Sequence, residues 1–224
     1  MVQTRPRGEC PPLLKAKGVL WATRWRLAGA QNIRGHWATP QAKKVLKKAL
    51  GALTHGKCAF CERLLGGQSQ LEIDHYHPKS LYPGRAFEWT NLFPACSICN
   101  RSKGDHDHGG SLLKPDEEDP ERHFWVHPDN GRLDPSPGLS PEDAVRATET
   151  IRLCDLQRPV LRRQRAQLMK RLSRFLAGGD PGEGDEEIGG YLDPGHEYKL
   201  VIRHVFEQKG YPELAQEDRR RFQA

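Results

Sequence analysis

A chain of 224 residues with 36% hydrophobic content can bury one moderate core or two small ones, and content this low implies that some loops stay mobile. It has no run of about 18 apolar residues, which excludes a membrane-spanning helix, and no charged-then-apolar leader, so a soluble protein of the cytoplasm is expected. A formal charge of +6 and a pI near 9.1 favour polyanionic partners.

Residues 1–53 read as a basic helical arm. The first fifty residues hold eleven lysines and arginines against the single acid Glu9, a local charge of +10 that exceeds the charge of the whole chain. Trp21, Trp25, Ile33 and Trp37 alternate with Arg24, Arg26 and Arg34. Such interleaving suits a surface laid along a nucleic-acid backbone, although tryptophans more often pack than stack on bases. From Pro40 to Leu53 the positions Ala42, Val45, Leu46, Leu50 and Leu53 recur at helical spacing, with Lys43, Lys44, Lys47 and Lys48 on the other side.

Residues 54–110 hold two C-x-x-C pairs, Cys58/Cys61 and Cys96/Cys99. Two such pairs can close a tetrahedral all-thiolate shell, which leaves no open position and so marks a structural Zn2+ rather than a catalytic one. Two disulfides, or reduced cysteines packed in the core, are the alternative; paired C-x-x-C motifs without a secretory signal favour the metal. Cys10 and Cys154 remain as free thiols. Between the pairs, Gln70 to His75 alternates as a short strand after a Gly66-Gly67 turn, placing Asp74 and His75 on opposite faces. Glu88 to Phe93 offers a second extended run that Pro94 should end, and a helix is expected to start near Cys96, capped by Ser97, carrying Asn100 and Lys103.

Residues 111–139 read as a proline-punctuated loop followed by a hairpin, His123 to Val126 and Gly131 to Leu133 around a Pro-Asp-Asn-Gly turn. Residues 140–224 read as a helical region. Ser140 is a fitting N-cap with Pro141 at the first helical position, for a helix reaching about Leu153. A second helix from Gln157 should bury Val160, Leu161, Leu168, Leu172 and Phe175. Its outer face carries Arg162, Arg163, Arg165, Lys170, Arg171 and Arg174, read as solvated ahead of nucleic-acid contact. Residues 178–197, rich in Gly and Pro and lacking Lys and Arg, read as a flexible linker; Tyr198 to Lys209 returns to helical spacing and, being short, must pack on this chain or on a partner.

The combination C-x-x-C, I-D-H-x-x-P-K-S, W-x-N-L and C-x-x-C-N-x-x-K-G-D resembles the HNH endonucleases. The outer segments, among them L-L-K-P-D-E-E-D-P and A-T-E-T-I-R-L-C-D-L-Q-R-P-V-L, make the chain similar to the HNH subunit of Septu-type, retron-associated anti-phage defence systems. The resemblance implies an α+β, mainly helical fold with a treble-clef, zinc-stapled ββα-metal core and helical extensions at both ends. It implies His75 as general base, Asp74 and Asn100 as ligands of a catalytic Mg2+ or Mn2+, and Asn91 as the residue that steadies the loop bearing His75. It also implies an ABC-like ATPase partner. No Walker motif occurs in this sequence, so nucleotide control would come from another chain.

The chemistry points the same way. Phosphodiester hydrolysis needs an acceptor for the proton of the attacking water, for which an imidazole is suited, and positive charge at the phosphorus, for which a hard cation on oxygen ligands is suited. Lys79, Arg101 and Lys103 suit phosphate contact. The roles of His77, His106 and His108 stay open, His77 reading as exposed and residues 105–108 as a solvated loop; the latter run departs from the phenylalanine and proline expected after K-G-D. DNA is placed ahead of RNA as substrate. A free-standing HNH nuclease, or a zinc module that binds nucleic acid without cutting it, are the alternatives, and the complete Asp74, His75, Asn91 and Asn100 set speaks against the second.

Overall fold

The computed structural model describes residues 7–27, 40–178 and 188–223. The fold is α+β and mainly helical. Helices α1 (Pro12–Leu27) and α2 (Pro40–Leu53) lead into a two-stranded antiparallel pair, β1 (Glu72–His75) and β2 (Leu92–Ala95), followed by helix α3 (Ser97–Lys103). A short helix α4 (Pro120–His123) opens the hairpin β3 (Phe124–Val126) and β4 (Leu133–Pro135). Helices α5 (Pro141–Leu153), α6 (Pro159–Leu176), α7 (Ile188–Tyr191), α8 (Lys199–Gln208) and α9 (Pro212–Gln223) complete it.

Helix α2 buries Ala42, Leu46, Leu50 and Leu53, a stripe at i, i+4, i+8 and i+11, against β1 and β2. Val45, expected in that stripe, is exposed, because it precedes Leu46 by one residue and so points about 100° away. Helix α1 packs Leu14, Gly18 and Trp25 inward, and Trp21 lies against Phe87 with ring centroids 5.5 Å apart. Both described tryptophans of the arm therefore pack. Ile33, Arg34 and Trp37 lie outside the described residues.

The β1–β2 register pairs His75 with Leu92 and Ile73 with Pro94. The second run thus begins later than the sequence reading placed it and passes through Pro94 instead of ending there, while Trp89–Asn91 form a turn of 3-10 helix. The hydrogen bond from Tyr76 N to Asn91 O fixes the alternation of the ladder, so Pro94 falls at a position that makes no bond to β1 and its missing N–H is not needed there. Its carbonyl faces the other way and accepts from Ala59 N at 2.8 Å, which joins β2 to the first cysteine turn. Strand β1 likewise starts at Glu72, not Gln70.

Helix α5 is capped as read, Ser140 accepting from Asp143 N, with Pro141 at N1. Two expectations for α6 fail. Val160 is exposed in the first turn, and Arg165, assigned to the outer face, is buried. Arg165 lies four residues after Leu161 and three before Leu168, squarely on the stripe, and its guanidinium donates to Gly131 O at 2.6 Å and Leu156 O at 2.8 Å. Gly131 must be glycine at this approach: φ is +65° and a Cβ would sit 2.2 Å from Arg162 O.

The flexible linker expected over 178–197 does not hold for its described part. Tyr191 and Leu192 are core residues, and the carbonyls of Pro194 and His196 accept from the buried Lys57 at 2.7 and 2.9 Å. Residues 179–187 lie outside the described residues. Helix α8 packs on this chain, and α9, not anticipated, begins at Pro212 and packs against it. One apolar cluster joins the cysteine turns to the C-terminal helices. A second joins α1 and α2 to Phe87 and Leu92, and Ile73 touches both. Among the described residues no helix is long and apolar enough to cross a membrane.

Candidate active site and metal centre

The turn Cys58–Cys61 is closed by Cys58 N donating to Arg63 O and by the bridge between Lys57 and Leu64. The second pair straddles the start of α3. Cys96, not Ser97, is the N-cap: its backbone is extended and its sulfur accepts from Cys99 N at 3.4 Å, taking the place a hydroxyl was expected to fill. None of the six cysteines is in a disulfide. The four sulfurs lie within 4.8 Å of one another, and Cys61 Sγ is 3.9 Å from Cys96 Sγ. A Zn–S bond of about 2.3 Å sets sulfur–sulfur edges of about 3.8 Å in a tetrahedron, so the donor set and its spacing fit Zn2+.

Strand β1 then delivers the second set of groups. His75 is buried, with Nε2 3.0 Å from Ala86 O. A carbonyl only accepts, so Nε2 carries the hydrogen and Nδ1 the lone pair of the neutral ring. Burial, aided by the charge of Lys79, lowers the His75 pKa to about 3, so the ring is neutral at physiological pH. Asn91 is buried, and its amide is committed to backbone: Oδ1 accepts from His77 N at 2.7 Å, while Nδ2 donates to His77 O at 3.1 Å and Arg85 O at 2.9 Å. It ties the chain after His75 to a separate 3-10 turn, Pro83–Arg85, that leads to Ala86, the residue that fixes the imidazole. The Asn91 amide thus pins the chain at His77 to the chain at Arg85.

On the other face of β1, Asp74 is buried with Oδ1 3.3 Å from Lys103 Nζ, and Oδ2 is buried without a hydrogen-bond partner among the described residues. Burial raises its pKa to about 6 against the opposing pull of Lys103 and Lys79. A desolvated carboxylate oxygen left over in this way is a group able to hold a cation. Asn100 on α3 donates Nδ2 to Glu72 Oε2 at 2.6 Å, which commits the amide nitrogen and leaves its oxygen as the group able to serve a metal. The carboxylate and amide oxygens are hard donors, fitting Mg2+ or Mn2+ better than Zn2+.

Glu72 was missed in the sequence. Its signal is the spacing Glu72-Ile73-Asp74, which puts two carboxylates on one face of a strand. Lys103, expected at a phosphate, is instead buried, its ammonium donating to His75 O at 2.8 Å as well as pairing with Asp74; the short reach from α3 to β1 draws it inward. Lys79 is half-buried beside the same pair, and Arg101 is exposed on the last turn of α3. His77 is not simply exposed: it stacks on His108 at 5.9 Å and meets Tyr82 edge-on. His108 in turn lies 2.8 Å from Tyr76 O through Nε2, so the run after Gly104 is solvated at His106 but anchored at His108.

Residues 58–106 match the family model for the HNH endonucleases, the segment that contains both cysteine pairs, β1, β2 and α3. The chain is also similar to two proteins named Septu protein PtuB. One, from Bacillus thuringiensis, is 35% identical over 96 residues, covering 42% of this chain and 36% of that protein. The other, from Bacillus mycoides (strain KBAB4), is 28% identical over 156 residues, covering 56% of this chain and 51% of that protein. The chain spans about half, or less, of the length of these relatives.

Proposed function

We propose that the HNH domain at residues 58–106 makes this chain a metal-dependent endonuclease that hydrolyses phosphodiester bonds of nucleic acid, DNA ahead of RNA. On this reading it acts in the cytoplasm as the nuclease of an anti-phage defence complex with an ATPase partner. The observation that carries the reading is the pairing, on adjacent residues of one strand, of a buried neutral imidazole with a buried carboxylate that has an oxygen to spare.

The imidazole of His75, held at Nε2 by Ala86 O, presents the Nδ1 lone pair as acceptor for the proton of the attacking water. Burial keeps it unprotonated between turnovers, and the anionic phosphate, once bound, favours the charged imidazolium and so raises its proton affinity during the reaction. Asn91 keeps the loop between His77 and Arg85 in the shape that aims this ring. Lys103 holds Asp74 and the His75 carbonyl together across β1 and α3. A hard divalent cation held by Asp74 and Asn100 would supply positive charge to the crowded phosphorus and the departing oxygen. Lys79 and Arg101 would meet flanking phosphates. Zn2+ held by Cys58, Cys61, Cys96 and Cys99 would fasten the first cysteine turn to the start of α3.

Supercoiled plasmid and tRNA, each incubated with the purified chain in Mg2+ and then in EDTA, test the reading. Cutting in Mg2+ that EDTA abolishes is expected, with His75→Ala slower by about 10²-fold or more. A His75→Ala protein that cuts as fast as wild type removes the assigned base. Binding without cutting in either Mg2+ or Mn2+ selects the non-catalytic zinc module instead. The defence role is supported by the likeness to the Septu proteins, and copurification with the product of the neighbouring gene tests it.

A further inference from the structure

The turn between α5 and α6 sends a guanidinium to the cysteine cluster. Arg158, the N-cap residue of α6, is buried, and its Nη1 and Nη2 lie 3.5 and 3.6 Å from Cys99 Sγ, with Nη2 also 3.9 Å from Cys96 Sγ. The side chain is held in place from behind: Nη1 donates to Asp155 O at 2.9 Å and reaches Cys154 O at 3.4 Å. Asp155 takes a positive φ of 47°, which lets the chain turn tightly enough to bring Arg158 back over the second cysteine pair. This contact is long in sequence, 59 residues from Arg158 to Cys99.

Four thiolates around a divalent ion carry two net negative charges, and Cys58 and Cys99 have no solvent exposure to screen them. A buried anionic centre of this kind is costly without a partner, and a guanidinium is the side chain best suited to meet two acceptors from one plane. N–H···S bonds also withdraw electron density from a thiolate, which reduces its reactivity toward oxidants and alkylating agents.

We propose that Arg158 is the charge-balancing and positioning partner of Cys96 and Cys99, so that the C-terminal helical region completes the metal centre of the nuclease segment. The inference is independent of the nuclease activity and rests only on the metal reading of the four cysteines. It gives the α5–α6 turn a task besides packing, since the metal centre lacks its counter-charge unless α5 and α6 are docked.

The test uses the full chain loaded with Zn2+ or, for spectroscopy, Co2+. Release of Zn2+ is followed with a chromogenic chelator after adding N-ethylmaleimide, and the sulfur-to-cobalt charge-transfer band is recorded. Arg158→Gln is expected to release metal on the order of tenfold faster and to shift that band, the usual size of effect for a lost outer partner of a metal ligand. Arg158→Lys, which keeps the charge but cannot span two sulfurs, should fall between the two and also serves if Arg158→Gln does not fold. Leu161→Ala loosens the same helix without removing a donor, and should leave the band where it is. Wild-type release and an unmoved band in Arg158→Lys or a folded Arg158→Gln overturn the proposal. A chain that takes up neither Zn2+ nor Co2+ overturns the metal reading itself, and the proposal with it.

Discussion

The cations of α1 and α2 and those of α8 live in opposite surroundings, while Arg7, ahead of α1, is buried against Asp116. In α1 and α2, Lys15, Lys17, Arg24, Arg26, Lys43, Lys44 and Lys48 are exposed, and no ion pair to an acid involves them among the described residues. In α8, Lys199 and Arg203 are buried against Asp218 of α9, with Arg203 Nε 2.5 Å from Asp218 Oδ2 and Arg203 Nη1 2.8 Å from Glu121 Oε1. Arg219 joins Glu121 to Glu207. What separates the regions is the supply of acids. Residues 1–50 have only Glu9, whereas the C-terminal helices and α4 bring carboxylates to the same depth as the cations. Identical residue types therefore contribute to folding at one end and remain available to a polyanion at the other.

The largest expected effect comes from breaking the buried lattice. Asp218→Ala leaves Lys199 and Arg203 in the interior with their shared carboxylate gone, and removal of one partner from a buried pair costs about 3–5 kcal/mol. Chemical denaturation should show a loss of that size. Replacing Lys43 or Lys48 by Gln should change stability by no more than about 0.5 kcal/mol. An Asp218→Ala midpoint equal to wild type would mean that the two ends do not differ as described.

A smaller effect follows from acid. Burial pushes the Glu121 carboxyl up, but Arg219 and Arg203 together outweigh it and hold the group below its ordinary value of 4.5. A carboxyl depressed in the folded state adds stability that is fully present above the unfolded value and disappears as pH falls through the folded one. Stability should therefore drop as pH falls below about 4.5, and Glu121→Gln, already weaker at neutral pH, should show a flatter profile there. Parallel profiles for the two proteins in that window would remove Glu121 from the lattice.

The same contrast explains what could be read in advance. The four cysteines, His75, Asn91 and the capped start of α5 are set by spacing over a few residues, and local spacing is visible in a sequence. Lys103, Arg165 and Arg158 were legible only as charge. Their burial depends on partners contributed by other segments: His75 O and Asp74 for Lys103, Gly131 and Leu156 for Arg165, and Cys99 for Arg158. Composition misled in 188–197, where glycines and Pro194 surround Tyr191 and Leu192, which dock the segment together with Lys57. Pro94 misled in β2, because its position in the ladder, not its presence, decides whether it ends a strand.

The smallest effect on the fold, and the one that sharpens the contrast most, concerns the arm. Lys43, Lys44 and Lys48 are all exposed on the solvent side of α2, Lys44 and Lys48 one turn apart, and α2 packs directly on β1, the strand that carries His75. A backbone phosphate running along that face would release about one condensed counterion for each lysine it meets. In a His75→Ala background, where binding is measured without cutting, changing all three to Gln should leave the melting temperature in place and make the dependence of log K on log salt shallower by about 2.7 on duplex DNA. The matched change of Arg163, Lys170 and Arg171 on the exposed face of α6 is the control, since α6 packs through its other face on α8 and not on β1. An unchanged slope for the α2 variant with a reduced one for the α6 variant would move the nucleic-acid track to the other end of the molecule, because salt dependence counts the cations that touch phosphate and is blind to those that merely face water.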